Sequence, residues 1–251
     1  MIASERRLYI LRAIHERGVI NLKEVAQAVG TSEATIRRDL EKLEREGKLI
    51  RVQGGATRAG DTGDLLDMSE LAMQSKVQIN QAEKAAVAAA AVQNVQDGDT
   101  VFLDCGTSIA ALGRLLLSRP VQIVTYSALI LAQASNPRAE LVVIGGQYNA
   151  HQNMFTGLLA EQMLRDFRFQ HAFIGCYGMS VTEGKCFDLD MASTNMKLIA
   201  MEHAAQRYLL VDDSKLEKKG FYTLADLSSF DKIYTTKPKT RMKLPKNLEI
   251  V

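Results

Sequence analysis

Thr31 to Gly47 read TSEATIRRDLEKLEREG, and the reading of this stretch decides the fold of the first part of the chain. Ile36, Leu40 and Leu43 recur at i, i+4 and i+7, which gathers them on one buried helix face. Ser32 is suited to the N-cap, where its hydroxyl accepts from an orphan N–H of the first turn. Gly47 suits the left-handed residue that stops a helix. Thr35, Arg37 and Arg38 are thereby turned outward near the N-terminal end, with Glu41, Lys42, Glu44 and Arg45 in charge-balanced order behind them. A mixed-charge helix is usually a solvated surface helix. The sharper reading is a recognition helix, which sets its N-terminal residues against base edges in the major groove. Arginine fits that role because its fork donates two parallel bonds to guanine.

The neighbours bear on the choice. Ser4 to Arg17 reads as a helix with Ile10, Leu11 and Ile14 inward, ended by Gly18. Val19-Ile20 is a short extended piece. Asn21 caps a second helix over Leu22–Val29, with Glu24 at the capping-box position. Gly30-Thr31 is the turn into the third helix. Two helices, a glycine turn and a third helix with basic outward residues form helix-turn-helix logic. After Gly47, Leu49 to Val52 alternates like a strand and Gly54-Gly55 turns it, which describes a β-wing. Arg51 and Arg58 on that wing lie along phosphates, or are simply solvated. The DNA-facing set on this reading is Ser32, Thr35, Arg37, Arg38, Lys42, Arg51 and Arg58.

Charge supports a split chain. Residues 1–58 hold twelve Lys/Arg against eight Asp/Glu, net +4; the rest of the 251 residues hold nineteen against twenty-one, net −2. A basic head on a slightly acidic body fits a DNA-binding module joined to something else. Hydrophobic content of 47% and charged content of 24% are ordinary for a soluble globular protein. Cys105, Cys176 and Cys186, odd in number and without paired spacing, argue against a disulfide framework or a zinc knuckle. The start MIASERRLYI lacks a signal peptide's apolar core, and no run approaches the ~18 apolar residues of a membrane span, so the expected location is cytoplasmic. His15, His151, His171 and His203 show no metal spacing. Nucleotide-binding glycine motifs are missing, and no cofactor is implied.

We place the boundaries at 1–58 for the DNA-binding domain, 59–75 for a linker and 76–251 for the second domain. From Gln81 onward helices and strands alternate, which implies an α/β domain with a mostly parallel sheet and helices on both faces. Ligands bind such sheets at the C-terminal strand ends. Those ends carry small polar residues: Asp104-Cys105-Gly106-Thr107-Ser108 opening a helix, Thr125-Tyr126-Ser127, and Asp212-Asp213-Ser214-Lys215. Helix N-terminal N–H groups bind anions. Three converging ends, one with a lysine, favour a phosphorylated small ligand; the bland alternative is ordinary turns and a solvated lysine. Cys105, before a helix start, has the position of a thiol with a lowered pKa, although all three cysteines are most simply small buried residues.

The run SEATIRRDLEKLEREGKLIRVQGGA resembles the winged helix-turn-helix of DeoR-family bacterial transcription regulators. It matches at Ser32, Thr35, Ile36, Arg37, Arg38, Asp39, Leu40, Leu43, Gly47, Arg51, Gly54, Gly55 and Ala56. FLDCGTS, VTYS, VIGG, AFIG and LLVDDSK extend the resemblance through the second half. It implies an operator-binding regulator, most simply a repressor of a carbohydrate-metabolism operon, with an effector domain similar to ribose-phosphate isomerase that senses a phosphorylated sugar. Double-stranded operator DNA is then one partner, the sugar phosphate another, and a homodimer or homotetramer is expected. By position the phosphate candidates are Gly106, Thr107, Ser108 and Lys215, and the pocket candidates Asp104, Cys105, Thr125, Tyr126 and Ser127. Asp39 is expected to orient an arginine rather than read a base. Tyr126, Ser193 and Thr236 depart from the family's usual Asn, Glu and Asp, and Tyr148-Asn149 stands where a basic residue is common. The alternatives are an activator of the same architecture, a sugar-phosphate isomerase with an accessory DNA-binding head, and a structural DNA-binding protein without an effector. The isomerase needs a carboxylate base, which Ser193 cannot supply, although Asp188 and Asp190 stand close in sequence.

Overall fold

The computed structural model describes residues 3–17, 19–46, 48–52, 55–58, 76–77, 79–238 and 244–251. The chain divides into two compact units, Met1–Glu70 and Leu71–Val251.

The first unit holds α1 (Ala3–Arg17), β1 (Val19–Asn21), α2 (Leu22–Ala28), α3 (Glu33–Arg45), β2 (Leu49–Val52) and β3 (Gly55–Arg58). The helical period buries Ile10 and Ile14 of α1, Leu22 and Val25 of α2, and Ile36, Leu40 and Leu43 of α3 in one cluster with Ile20, Leu49 and Ala56. Each such large aliphatic side chain contributes about 1.5–3 kcal/mol by leaving water. Gly30 sets the angle between α2 and α3. At φ +64° it lets Thr31 N reach back to Ala26 O at 3.0 Å, the bond that ends a helix in a Schellman turn. The wing is larger than the hairpin expected: β1 also pairs antiparallel with β3, in the order β1-β3-β2, with Ile20 opposite Ala56. Gly18, Gly47 and Gly54 and the side chains of Asn21, Glu24, Arg51 and Arg58 lie outside the described residues.

The second unit is built on β4 (Thr100–Leu103), β5 (Gln122–Thr125), β6 (Glu140–Val143), β9 (Phe169–Ile174), β12 (Ala204–Leu210), β14 (Lys232–Thr235) and β15 (Leu248–Ile250). These seven pair in parallel in the order β15-β14-β12-β9-β4-β5-β6. The pleat sends alternate residues to opposite faces. Val101, Leu103, Ile123, Phe173, Tyr208 and Leu210 join a core with α4 (Gln81–Ala91), α5 (Thr107–Leu116) and α6 (Ala128–Gln133). Phe102, Val124, Ala172, Ile174, Leu209 and Ile233 join the other core with α7 (Leu158–Arg165) and α8 (Met191–Glu202). Helices on both faces of a parallel sheet are what the alternation of elements implied.

Smaller pieces escaped the sequence reading. A hairpin, β7 (Gln147–Asn149) with β8 (Met154–Thr156), follows the Gly145-Gly146 step. A second sheet pairs β10 (Gly178–Ser180), β11 (Lys185–Asp188) and β13 (Tyr222–Asp226) antiparallel. The late helix begins at Met191, because Asp190 caps it by accepting from Ser193 N at 2.7 Å. It stops at Glu202 because Ala204 already pairs with Phe169 in the parallel ladder.

Candidate functional sites

In α3 the N-cap assignment holds: Ser32 Oγ accepts from Thr35 N at 3.3 Å, and the two hydroxyls lie 2.9 Å apart. Ser32, Arg37, Arg38 and Lys42 are exposed and Thr35 is half-buried. Asp39 falls instead on the buried side, at 8% exposure. Its partners are Arg6, whose Nε donates at 2.8 Å, and Arg7 at 3.8 Å, both from α1. Asp39 therefore orients arginines, but those of the first helix rather than its neighbours in sequence. Among the described residues no ion pair holds Arg37 or Arg38, so both guanidinium groups remain available on the outer face. Backbone ladders place Arg51 in β2 and Arg58 in β3.

The second site lies where the sheet changes direction. After β4 the chain builds outward through β5 and β6; from β9 it builds the other way through β12, β14 and β15. The crevice between β4 and β9 is thus the topological switch point, where such sheets take ligands. Gly106 and Gly175 close on each other there: a Cβ on Gly106 would stand 3.7 Å from Gly175 Cα, and one on Gly175 only 3.2 Å from Asp104 Oδ2. The loop after β4 leads into α5 with Gly106 at its N-cap. The N–H groups of Thr107, Ser108 and Ile109 have no acceptor among the described residues, since the first backbone bond of the helix is Ala110 N to Gly106 O. Such open N–H groups make a cradle of the kind that suits an anion.

Under the cradle lies a buried ionic group. Asp104, fully buried, accepts from Tyr126 Oη and from Gly175 N at 2.9 Å. Lys197, 4% exposed, reaches Asp104 at 3.5 Å and pairs closely with Asp188. Burial alone lowers a lysine pKa; here Asp104 and Asp188 outweigh it and hold the Lys197 pKa well above the ordinary value. Lys197 was not singled out in the sequence. Its signal was a lone charge inside MKLIAM, an otherwise apolar run that a sheet core must bury.

Four pocket candidates prove to be supports. Thr125 Oγ1 donates to Leu103 O at 2.7 Å, and Ser127 Oγ accepts from Ile130 N at the start of α6. Tyr126 is fully buried with its hydroxyl on Asp104. The Cys105 thiol, buried and 3.7 Å from Met154 Sδ, is pushed up by burial and by Asp104, which corrects the expectation of a lowered pKa at the helix start. Gly106 is the N-cap of α5, Thr107 its first residue, and Ser108 is buried beside them.

The positive charge is greater than the sequence suggested. Lys215 lies 5.4 Å over the Tyr177 ring and makes no hydrogen bond or ion pair among the described residues. Burial lowers its pKa. Burial also lowers Lys84, with Asp212 opposing. Lys76 is pulled down to about 8 by burial and then by Lys215. Lys76, Lys84 and Lys215 are thus desolvated and Lys215 acts on both of the others, and among the described residues none of the three has a carboxylate ion pair. Such an arrangement favours an anion. Among the described residues no His, Cys, Asp and Glu cluster suits a metal, and no helix is long and apolar enough to cross a membrane.

Residues 6–62 match the family model of the DeoR-like helix-turn-helix domain, and residues 79–237 match that of the DeoR C-terminal sensor domain. The chain belongs to the DeoR family. It is a DNA-binding transcription regulator with an N-terminal helix-turn-helix unit and a parallel-sheet sensor unit. The L-fucose operon activator of Haemophilus influenzae is 30% identical over 241 residues, spanning 96% of this chain and 92% of that protein. The lactose phosphotransferase system repressor of Staphylococcus epidermidis is 29% identical over 231 residues, 90% and 89% of the two chains. Ribose 5-phosphate isomerase A of Methanocaldococcus jannaschii superposes with a TM-score of 0.40 at 23% identity, over 55% of each chain. In this DeoR-family chain the sensor model takes in the loop after β4, Lys84 and Lys215, while Lys76 lies three residues before its start.

Proposed function

We propose that the protein represses a carbohydrate operon and is controlled by a phosphorylated sugar held at the β4–β9 crevice. The observation that carries this reading is the open N-terminus of α5 at the strand end after β4, supported by three desolvated ammonium groups in the same unit, Lys215, Lys84 and Lys76, of which Lys215 acts on the other two. A phosphate there accepts from the N–H groups of Thr107 and Ser108 and from Lys215, while its sugar extends along the strand ends. Relatives named for lactose and fucose systems support a sugar as the rest of the ligand.

On the DNA side, Arg37 and Arg38 face base edges, with Ser32, Thr35, Lys42, Arg51 and Arg58 on phosphates. A symmetric dimer reads a roughly palindromic operator. Ligand and DNA are coupled through the arrangement each prefers, so a sugar phosphate that favours the non-binding arrangement releases the operator. Catalysis is disfavoured because the acids nearest Ser193 are committed: Asp188 to Lys197 and Asp190 to the cap of α8.

The test is calorimetry of the full chain with pentose and hexose phosphates, the matching free sugars and inorganic phosphate. A sugar phosphate binds, its free sugar binds far more weakly, and Lys215→Ala abolishes the difference. Equal binding of phosphorylated and free sugar would sink the phosphate-site assignment. Turnover of a bound compound would favour the isomerase.

A further inference from the structure

The chain enters the sensor unit along Lys76, Val77, Ile79 and Asn80, and this segment is fastened in an unusual way. Lys84, in the first turns of α4 and 6% exposed, turns its ammonium back along the chain. Its Nζ donates to the carbonyl oxygens of Lys76 and Ile79, each at 2.6 Å. Asn80, left-handed at φ +52°, donates from Nδ2 to Asp212 Oδ1 at 3.1 Å, at the end of β12. One buried polar side chain, Lys84, and one half-buried, Asn80, are thus spent on fixing a backbone segment. The position of Lys76 is set through its own carbonyl, while its ammonium makes no hydrogen bond or ion pair among the described residues.

Groups on three strand ends of the sensor unit act on that ammonium. The charged and titratable groups acting on it are Lys215 after β12, Cys105 after β4 and Asp188 at the end of β11. Val77, Lys84 and Thr107 line one groove of about 520 Å³, so the segment runs beside the first residue of α5. Lys76 and Lys215 repel each other, and a dianion bridging them removes that repulsion.

We propose that Lys76 is a third phosphate-binding cation of the effector site, carried on the segment that joins the sensor unit to the DNA-binding unit. An effector then binds the α5 cradle and the connecting chain at once, so occupancy is passed directly to the segment leading to residues 1–58. Lys84 and Asn80 hold the segment in reach; the phosphate completes its attachment. This inference rests on the phosphate reading of the crevice.

The experiment compares full-length wild type, Lys76→Gln, Lys76→Arg and Lys215→Ala. Each is titrated by calorimetry with inorganic phosphate and with ribose 5-phosphate and fructose 1-phosphate. DNA from upstream of the protein's own gene is followed by fluorescence anisotropy in the same mixtures. Lys76→Gln weakens the compound that wild type binds by about tenfold, as expected for one charge-assisted hydrogen bond, and blunts the DNA response at saturation. Lys76→Arg restores most of both, which a merely structural role for the side chain would not produce. Wild-type affinity and DNA response in Lys76→Gln, with binding lost in Lys215→Ala, overturns the role of Lys76 and leaves the crevice reading standing. Binding indifferent to both Lys76→Gln and Lys215→Ala, or no phosphate compound bound by wild type, overturns both.

Discussion

Arg6 Nε donates to Asp39 Oδ2 across 2.8 Å and so ties the first helix to the helix that carries Arg37 and Arg38. Both partners are largely shielded, and Arg7 adds a longer contact at 3.8 Å. Asp39→Ala removes the acceptor these guanidinium groups share. The loss expected for a charged hydrogen bond is about 1.5–3 kcal/mol of stability in the N-terminal unit. Urea unfolding checks it, with operator affinity measured alongside. Operator affinity lost at unchanged stability would mean that Asp39 meets DNA directly.

Arg38 is exposed on the outer face of α3 and has no ion pair among the described residues. Arg38→Ala lowers specific operator affinity by about 1–3 kcal/mol and relaxes one base position. Lys42→Ala, farther along the helix, weakens operator and random DNA alike and lowers the salt slope by about one. Competition titrations at several salt concentrations separate the two. An equal fall on both DNAs for Arg38→Ala assigns that residue to phosphate instead.

Lys197 neutralises two buried acids, Asp104 and Asp188. Lys197→Met leaves those carboxylates without a counter-charge and destabilises the sensor unit by about 3–5 kcal/mol. Thermal unfolding of the full chain reports the effect as loss of the sensor transition. A change below about 1 kcal/mol would show that the group is neutral as a whole without the lysine.

The pH dependence of effector binding follows from Lys76. Its pKa of about 8 in the free protein lies below the ordinary 10.5, and a bound phosphate favours the ammonium. Binding therefore takes up a proton above about pH 8, and affinity falls as pH rises through that value. Lys215 and Lys84, also lowered, act with the same sign. The phosphate itself loses its second proton near pH ~6, so affinity peaks between the two values. Ligand-free stability runs the other way: the unfolded chain binds more protons between about 8 and 10.5, so Lys76 favours folding as pH rises there. Calorimetry at pH 8.5 in two buffers of different ionisation enthalpy reads the proton uptake. No uptake, or the same uptake in Lys76→Gln, contradicts the assignment.

Period and capping made the first unit legible. Ile36, Leu40 and Leu43 pack as their spacing demands, and Ser32 caps where it stands. The sheet was legible because Phe102 and its neighbours alternate between two apolar cores. The β10-β11-β13 sheet was not, because its strands are three to five residues long and broken by a register shift between Cys186 and Phe187. Within the site, the loop after β4 could be read because Gly-Thr-Ser opens a helix. Thr125, Tyr126 and Ser127 look the same in sequence whether a hydroxyl faces a ligand or a neighbouring carbonyl. Lys197 reaches Asp104 only through tertiary contact, from a helix far along the chain from the loop after β4, and the burial of Lys76 and Lys84 is likewise set by tertiary packing.

Occupancy of the β4–β9 crevice is expected to change operator affinity. Fluorescence anisotropy of the full chain on DNA from upstream of its own gene, titrated with pentose and hexose phosphates, tests it most directly. One sugar phosphate shifts the DNA affinity of wild type by tenfold or more and leaves that of Lys215→Ala unmoved. Tight DNA binding that no phosphorylated sugar alters, or an equal shift in Lys215→Ala, contradicts it.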